Sequence, residues 1–209
     1  MTTGLAAVLA GSRLLPVLTV PSVASAGPLA DALAAGGARC AEVTFRTPDA
    51  EQVVKAMAAH GALTVGAGTV LTAEQAERAV AAGARFLVSP GFDEEVIDEA
   101  RELGVPVAPG VATATELMRA LKAGVDTVKL FPAEPLGGTG MLRALAAPFP
   151  QARFVPTGGI GPGQLAAYLG QPSVLAVGGS WIATPGHLER GEYDEIRRLT
   201  AEAVERAAA

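Results

Sequence analysis

A recurring phrase constrains the fold of this chain more than any other feature. An Ala-rich amphipathic stretch ends in glycine, and one or two residues later a short apolar run begins. It appears as Ala34-Ala35-Gly36-Gly37-Ala38-Arg39, Ala81-Ala82-Gly83-Ala84-Arg85, Glu102-Leu103-Gly104-Val105-Pro106 and Lys122-Ala123-Gly124-Val125-Asp126. Glycine just past a helix supplies the left-handed residue that closes the last turn without a Cβ clash. Each phrase is therefore a helix-to-strand joint.

Eight apolar runs follow or precede such joints: Leu14 to Val20, Cys40 to Phe45, Leu63 to Gly68, Phe86 to Pro90, Pro106 to Val111, Thr127 to Phe131, Phe154 to Gly158 and Leu175 to Ser180. Their starts lie 20 to 27 residues apart, room for one strand, one helix and two short loops. The segments between them carry helical signatures: Asp49 to Met57, Thr72 to Ala82 with the capping pair Thr72 and Gln75, Asp93 to Leu103 with acids in its first turn, and Thr115 to Lys122. Strict alternation implies parallel strands joined by right-handed crossovers. Eight such units closing on themselves make a (β/α)8 TIM barrel, a compact single α/β domain over 1–209 with a short helix within Met1 to Gly11. A doubly wound open sheet is the competing architecture. Against it, no G-x-G-x-x-G follows the first run, where Pro16 and Pro21 stand instead.

Composition narrows the function. The 209 residues carry 16 Lys plus Arg against 21 Asp plus Glu, a net charge of −5, which argues against a nucleic-acid backbone binder. A 50% hydrophobic and 18% charged chain buries a core and is not disordered. Gly, Pro, Arg or an acid interrupts every apolar stretch before the roughly 20 residues a bilayer requires, and Met1 to Gly11 lacks the basic flank of a signal peptide. Cys40 is the single cysteine, so an intrachain disulfide is excluded and a reducing cytoplasm is the expected setting, with Cys40 as a buried thiol. The two histidines, His60 and His187, form no ligand-spaced pair, which argues against both a transition-metal site and a histidine-based triad.

Only three lysines occur. Lys55 follows Glu51 by four residues, the spacing of a helix-surface ion pair, and Lys122 sits in a last helical turn where a cation complements the dipole. Lys129 has no such explanation. Within Thr127-Val128-Lys129-Leu130-Phe131, side-chain alternation puts Thr127, Lys129 and Phe131 on one face and the apolar Val128 and Leu130 on the other. The apolar pair faces the helices, which turns Lys129 into the barrel mouth, where active sites of such barrels lie. Burial of an amine favours its neutral, nucleophilic form, and that form attacks a ketone to give a Schiff base.

In Ala41-Glu42-Val43-Thr44-Phe45-Arg46 the same alternation groups Glu42, Thr44 and Arg46. Turned inward, Glu42 becomes a candidate general acid/base and Arg46 a bidentate clamp for a substrate carboxylate. The competing reading is an internal ion pair, Glu42 with Lys129 or with Arg46, without catalytic duty. Two glycine pairs, in Thr157-Gly158-Gly159-Ile160 and Val177-Gly178-Gly179-Ser180, end the last two runs. Loops in these positions often bind phosphate through backbone N–H groups.

These residues carry a resemblance. The segments Ala41-Glu42-Val43-Thr44-Phe45-Arg46-Thr47, Val65-Gly66-Ala67-Gly68-Thr69-Val70, Ser89-Pro90-Gly91, Val128-Lys129-Leu130-Phe131-Pro132-Ala133-Glu134, Pro156-Thr157-Gly158-Gly159-Ile160 and Gly178-Gly179-Ser180-Trp181 resemble those of the class I family of 2-keto-3-deoxy-6-phosphogluconate (KDPG) and 4-hydroxy-2-oxoglutarate (KHG) aldolases. The resemblance implies reversible cleavage of KDPG to pyruvate and glyceraldehyde 3-phosphate. It implies Lys129 as the Schiff-base lysine and Glu42 as acid/base working through a water. Arg46, Thr69 and Thr157 would hold the pyruvyl carboxylate region, with Pro90 and Phe131 packing around the imine. Gly158, Gly159, Gly179 and Ser180 would cradle the phosphate. It further implies a homotrimer, no cofactor and no metal. Leu130 departs from the aromatic residue that relatives often carry, at a position facing away from the mouth. KHG or the galactonate epimer of KDPG are alternative substrates for the same site. From another class, a phosphate-binding barrel isomerase or epimerase would use Lys129 only to pair charge.

Overall fold

The computed structural model describes residues 4–9 and 11–208. Its strands are β1 (Leu14–Leu18), β2 (Cys40–Thr44), β3 (Thr64–Gly68), β4 (Leu87–Val88), β5 (Val107–Ala108), β6 (Gly110–Val111), β7 (Thr127–Leu130), β8 (Arg153–Phe154) and β9 (Val177–Gly179). Its helices are α1 (Leu5–Leu9), α2 (Ala26–Ala35), α3 (Ala50–His60), α4 (Ala73–Ala81), α5 (Glu94–Glu102), α6 (Ala114–Lys122), α7 (Gly138–Ala146), α8 (Leu165–Leu169), α9 (Pro185–Glu189) and α10 (Tyr193–Ala208). Strands pair in parallel in two sheets, β5-β4-β3-β2-β1-β9 and β6-β7-β8. The parallel α/β architecture is the one the alternating pattern predicts.

Eight runs give nine strands because Pro109 divides the fifth. Proline has no N–H to offer a ladder, so β5 pairs back with β4 while β6 pairs forward with β7. The Pro109 carbonyl still accepts from the Lys129 N–H at 2.9 Å. At the other break, isolated parallel bridges join Phe154 to Val174 and Thr157 to Gly178.

The joints form as their sequence predicts, with one refinement. Gly83, Gly104 and Gly124 all take positive φ, whereas in the pair Gly36-Gly37 only Gly37 does, at φ 90°. Gly36 serves packing instead: a Cβ there would lie 2.5 Å from Thr200 of α10. Helix starts are capped by their own side chains, Thr72 accepting from the Gln75 N–H at 3.2 Å and Asp93 from the Val96 N–H at 3.0 Å. The Gln75 side chain closes its half of the box on the Leu71 N–H at 2.7 Å. Part of Met1 to Gly11 lies outside the described residues; the remainder holds α1.

Alternation sorts the core into two regions. Outward residues such as Leu14, Leu18, Ala41, Val43, Val65, Ala67, Val128 and Leu130 join the helices in one large cluster. Inward residues near the strand N-termini, including Leu15, Cys40, Phe86, Val88, Ala108, Val155 and Ala176, form a second cluster onto which α1 folds Leu5 and Leu9. Burial pushes the Cys40 thiol up to about 11, against a smaller opposing effect of Ser12, so this cysteine behaves as a small apolar core residue. With that end of the interior filled by hydrocarbon, polar inward residues collect at the strand C-termini.

One surface expectation is corrected. Glu51 pairs with Arg78 of α4, at 2.7 and 2.8 Å to two guanidinium nitrogens, rather than with Lys55, which is exposed. A guanidinium offers two donors in a fixed fork, which a single ammonium on the same helix does not match. No helix among the described residues is long and apolar enough to cross a membrane.

On β3 the inward positions are Gly66 and Gly68, and a Cβ on Gly66 would lie 2.2 Å from the ring of Phe86, which is fully buried. Gly66→Ala is expected to cost about 1–3 kcal/mol of stability through overpacking, measured by urea denaturation. A midpoint equal to wild type would show that Phe86 moves aside freely.

Candidate active site

The polar inward residues lie toward one end of the strands. From β2, Glu42 and Thr44 project inward; from β7, Lys129 does. Lys129 Nζ lies 3.2 Å from Glu42 Oε1, with side-chain exposures of 5% and 0%. The two strands belong to different sheets, so this pair spans the interior. Of the two internal pairings open to Glu42, the structure forms the one with Lys129. Oε2 of Glu42 is buried and has no hydrogen-bond partner among the described residues.

Room for the carboxylate comes from β3. Gly68 stands next to Thr44 in register, and a Cβ there would lie 2.0 Å from Glu42 Oε1. Glycine inside a strand weakens it, so its presence marks a close approach; here the approaching group is the candidate acid/base. That signal stood in Val65-Gly66-Ala67-Gly68, although it does not say which side chain fills the space.

The Phe131 ring centroid is 5.3 Å from Lys129 Nζ, within reach of a cation–π contact. Arg46 lies past the end of β2 and is exposed, its Nε donating to Thr69 Oγ1 at 3.1 Å. Thr69 holds φ at 57°, a left-handed conformation that a β-branched residue adopts only under constraint from its surroundings. Arg46 thus points its guanidinium at the rim, while Glu42, two positions earlier on the same face, stays inside. Thr44 is tied down, its hydroxyl donating to the Leu18 carbonyl at 2.8 Å and lying 3.0 Å from Thr19 Oγ1.

Pro90 ends the β4 run, and its carbonyl packs where a Cβ on Gly110 would come within 2.1 Å. Thr157 is buried between β8 and β9, so close that a Cβ on Gly178 would lie 2.1 Å from its hydroxyl. Gly158 and Gly159 both have positive φ, at 101° and 81°, and Gly158 packs on Phe131 and Pro132. Gly179 lies under the Trp181 ring, and Ser180 is exposed at the end of β9. All eleven candidates therefore fall at or just beyond the C-terminal ends of strands. Lys129, Glu42 and Phe131 form one cluster, Arg46 with Thr69 a second, and Thr157 with the glycine pairs a third.

Sequence reasoning assigned no role to Glu134, Gln164 and Tyr168. Glu134 Oε1 accepts from the Tyr168 hydroxyl at 2.5 Å and Oε2 from Gln164 Nε2 at 2.6 Å. Burial, then the hydrogen bond and charge of Glu134, hold the Tyr168 hydroxyl protonated well above its usual range. These partners lie 30 and 34 residues away in sequence, beyond any local pattern.

The arrangement offers a buried amine beside a carboxylate with one free oxygen, flanked by an arginine rim and glycine turns. Comparison with known proteins accords with that chemistry. A family model described as "Aldolase: KDPG and KHG aldolase" matches residues 5–199. The 2-dehydro-3-deoxy-phosphogluconate aldolase of Treponema pallidum is 49% identical over 194 residues, 92% of each chain. The KHG/KDPG aldolase of Escherichia coli is 44% identical over 201 residues, 96% of this chain and 94% of that protein. Among solved structures, the KDPG aldolase of Legionella pneumophila, with pyruvate captured at low pH as a covalent carbinolamine intermediate, superposes with a TM-score of 0.92 at 40% identity, covering 96% and 98% of the two chains.

A buried ion pair is a poor source of stability, because desolvation offsets its attraction. Glu42→Leu or Lys129→Met alone, each leaving one buried charge, is expected to cost about 3–5 kcal/mol, whereas the double replacement is neutral or stabilising. Urea unfolding of the four proteins measures this cycle; a double variant as unstable as either single one would show that the pair itself holds the fold.

Proposed function

The chain belongs to the KDPG and KHG aldolase family, and from that premise we propose that it cleaves KDPG to pyruvate and glyceraldehyde 3-phosphate through an imine on Lys129. It is a lyase. The observation that carries the residue assignment is the buried contact of Lys129 Nζ with Glu42 Oε1 at 3.2 Å, with Glu42 Oε2 left unpartnered. A nucleophile and a proton acceptor within hydrogen-bond reach are the minimum apparatus of covalent aldol chemistry.

The steps follow from that geometry. Nζ attacks the C2 ketone, and loss of water from the carbinolamine gives a protonated imine. Glu42, directly or through a water, takes the proton of the C4 hydroxyl as the C3–C4 bond breaks. The bonding pair moves into the imine to form an enamine, and glyceraldehyde 3-phosphate leaves. Protonation at C3 and hydrolysis release pyruvate and restore Lys129. The pyruvate-derived carbinolamine of the Legionella relative supports a covalent lysine route, without metal or organic cofactor.

Arg46 and Thr69 hold the C1 carboxylate side at the rim, Thr157 the pyruvyl group, and Pro90 and Phe131 the apolar walls of the imine. Gly158, Gly159, Gly179 and Ser180 receive the C6 phosphate, since turns without Cβ atoms let an anion approach backbone N–H groups. KHG is a second substrate for the same lysine, a reading favoured by the KHG/KDPG aldolase of E. coli at 44% identity. Family membership sets aside the isomerase or epimerase reading.

We also infer that the two sheets are arcs of one (β/α)8 barrel forming a single domain over 1–209. Continuity of β5 and β6 through Pro109 supports closure at one break, and the bridges near β8 and β9 support it at the other. A homotrimer in the cytoplasm is the assembly and setting that the family resemblance implies. The exposed side chains of Leu71 and Met118 provide apolar surface for such contacts.

Borohydride reduction in the presence of pyruvate is expected to trap a covalent adduct on Lys129, identified by peptide mass spectrometry, and Lys129→Arg is expected to lose nearly all cleavage activity. An adduct elsewhere, or an active arginine variant, would refute the imine assignment.

A further inference from the structure

Glu134 is a half-buried carboxylate with both oxygens engaged and no part in the steps above. It follows β7 by four residues, in the segment that leads from Lys129 to α7. Its backbone N–H donates to the Gly158 carbonyl at 3.0 Å, and the Ala133 N–H donates to the Thr157 carbonyl at 2.8 Å. A Cβ on Gly159 would come within 2.8 Å of the Glu134 Cβ, so the second glycine of the turn rests directly on this residue. Its side chain then reaches outward. Oε2 accepts from Gln164 Nε2, and Gln164 Oε1 accepts in turn from the Gly161 N–H at 2.7 Å. Oε1 accepts from Tyr168 on α8.

The consequence is a relay of fixed polarity. The Gly161 N–H needs an acceptor, which orients the Gln164 amide with its oxygen toward the turn and its nitrogen away. That nitrogen needs an acceptor, and the Tyr168 hydroxyl needs another; only a carboxylate supplies both from one side chain. Both ends of turn 158–161 are thereby held, one by backbone contacts of Ala133 and Glu134, the other by the Glu134 side chain through Gln164. Glycines at positive φ have no side chain of their own to hold a turn in shape.

We propose that Glu134 is a positioning residue that fixes turn 158–161 in the form receiving the substrate phosphate, and so sets the preference for phosphorylated over unphosphorylated 2-keto acids. The inference rests on the reading of Gly158 and Gly159 as part of the phosphate cradle. It deepens that reading by naming what shapes the cradle from outside the site.

The test compares KDPG with unphosphorylated 2-keto-3-deoxygluconate in the wild-type enzyme and in E134Q, Q164E and E134Q/Q164E. In E134Q an amide donor meets either the Gln164 nitrogen or the Tyr168 hydroxyl, and the relay breaks. The KM for KDPG rises about tenfold while kcat falls less than about threefold, and the constants for the unphosphorylated substrate stay at wild-type values. In E134Q/Q164E the polarity reverses consistently. The amide at position 134 accepts from Tyr168 and donates to the carboxylate at 164, whose other oxygen accepts from Gly161, so the KM for KDPG returns to within about threefold of wild type. Equal losses on both substrates, or no rescue in the double variant, overturn the proposal. If E134Q does not fold, Tyr168→Phe removes one donor and no charge; it raises the same KM about threefold, and an unchanged KM overturns the proposal. A wild-type enzyme that cleaves both substrates with equal specificity constants removes the phosphate cradle itself, a failure distinguishable from that of the relay.

Discussion

The contact between Lys129 and Glu42 is the interaction on which the rest of the site depends. It joins β2 of the six-stranded sheet to β7 of the three-stranded one across the interior, and it places two formal charges where almost no water reaches. Removing such ions from water carries a penalty of several kcal/mol each, so the surrounding core has to supply the stability. Val43 and Ala41 behind Glu42, and Val128 and Leu130 behind Lys129, do so by packing the outer faces of both strands against the helices. The pair is held by hydrophobic burial on one side of each strand in order to stand exposed to chemistry on the other.

Space is the second constraint, and missing side chains create it. The interior is filled near the strand N-termini by Phe86, Leu15 and the docked Leu5 and Leu9 of α1. Above that plug the lining becomes small. Gly66 yields to Phe86, Gly68 to Glu42, Gly178 to Thr157 and Gly179 to Trp181. In each case a Cβ would fall inside the van der Waals radius of a residue that defines the floor or wall of the site. Interiors packed like crystals do not absorb such intrusions cheaply, so these glycines specify the shape of the cavity as firmly as the side chains that fill it.

The rim uses a different means of precision. Thr69 accepts a left-handed backbone while its hydroxyl receives Arg46, and the turn at Gly158 and Gly159 is supported by Ala133, Glu134 and, through Gln164, at Gly161. Loops that are short and braced by second partners hold ligand-facing groups in place without a rigid element of their own. Membership of the KDPG and KHG aldolase family gives these features a common purpose, since a substrate with a carboxylate at one end and a phosphate at the other needs both ends fixed before the central bond breaks.

The sequence by itself determined the α/β alternation, the helix-to-strand joints, the inward direction of Glu42 and Lys129 and the absence of a structural reason for Lys129 in its strand. Those are consequences of local periodicity and of glycine backbone freedom, which act over a few residues and are written in the order of the chain. It did not divide the fifth run at Pro109, give Glu51 to Arg78 in place of Lys55, separate Gly36 from Gly37, or reveal Glu134 bound to Gln164 and Tyr168. Each of these depends on which distant residue arrives alongside, and packing of whole elements decides that. The choice between Lys129 and Arg46 as the partner of Glu42 is of the same kind. Alternation puts all three on inward faces, but β2 ends at Thr44, and only past that end is Arg46 free to reach Thr69 at the rim while Lys129 crosses the interior to the carboxylate.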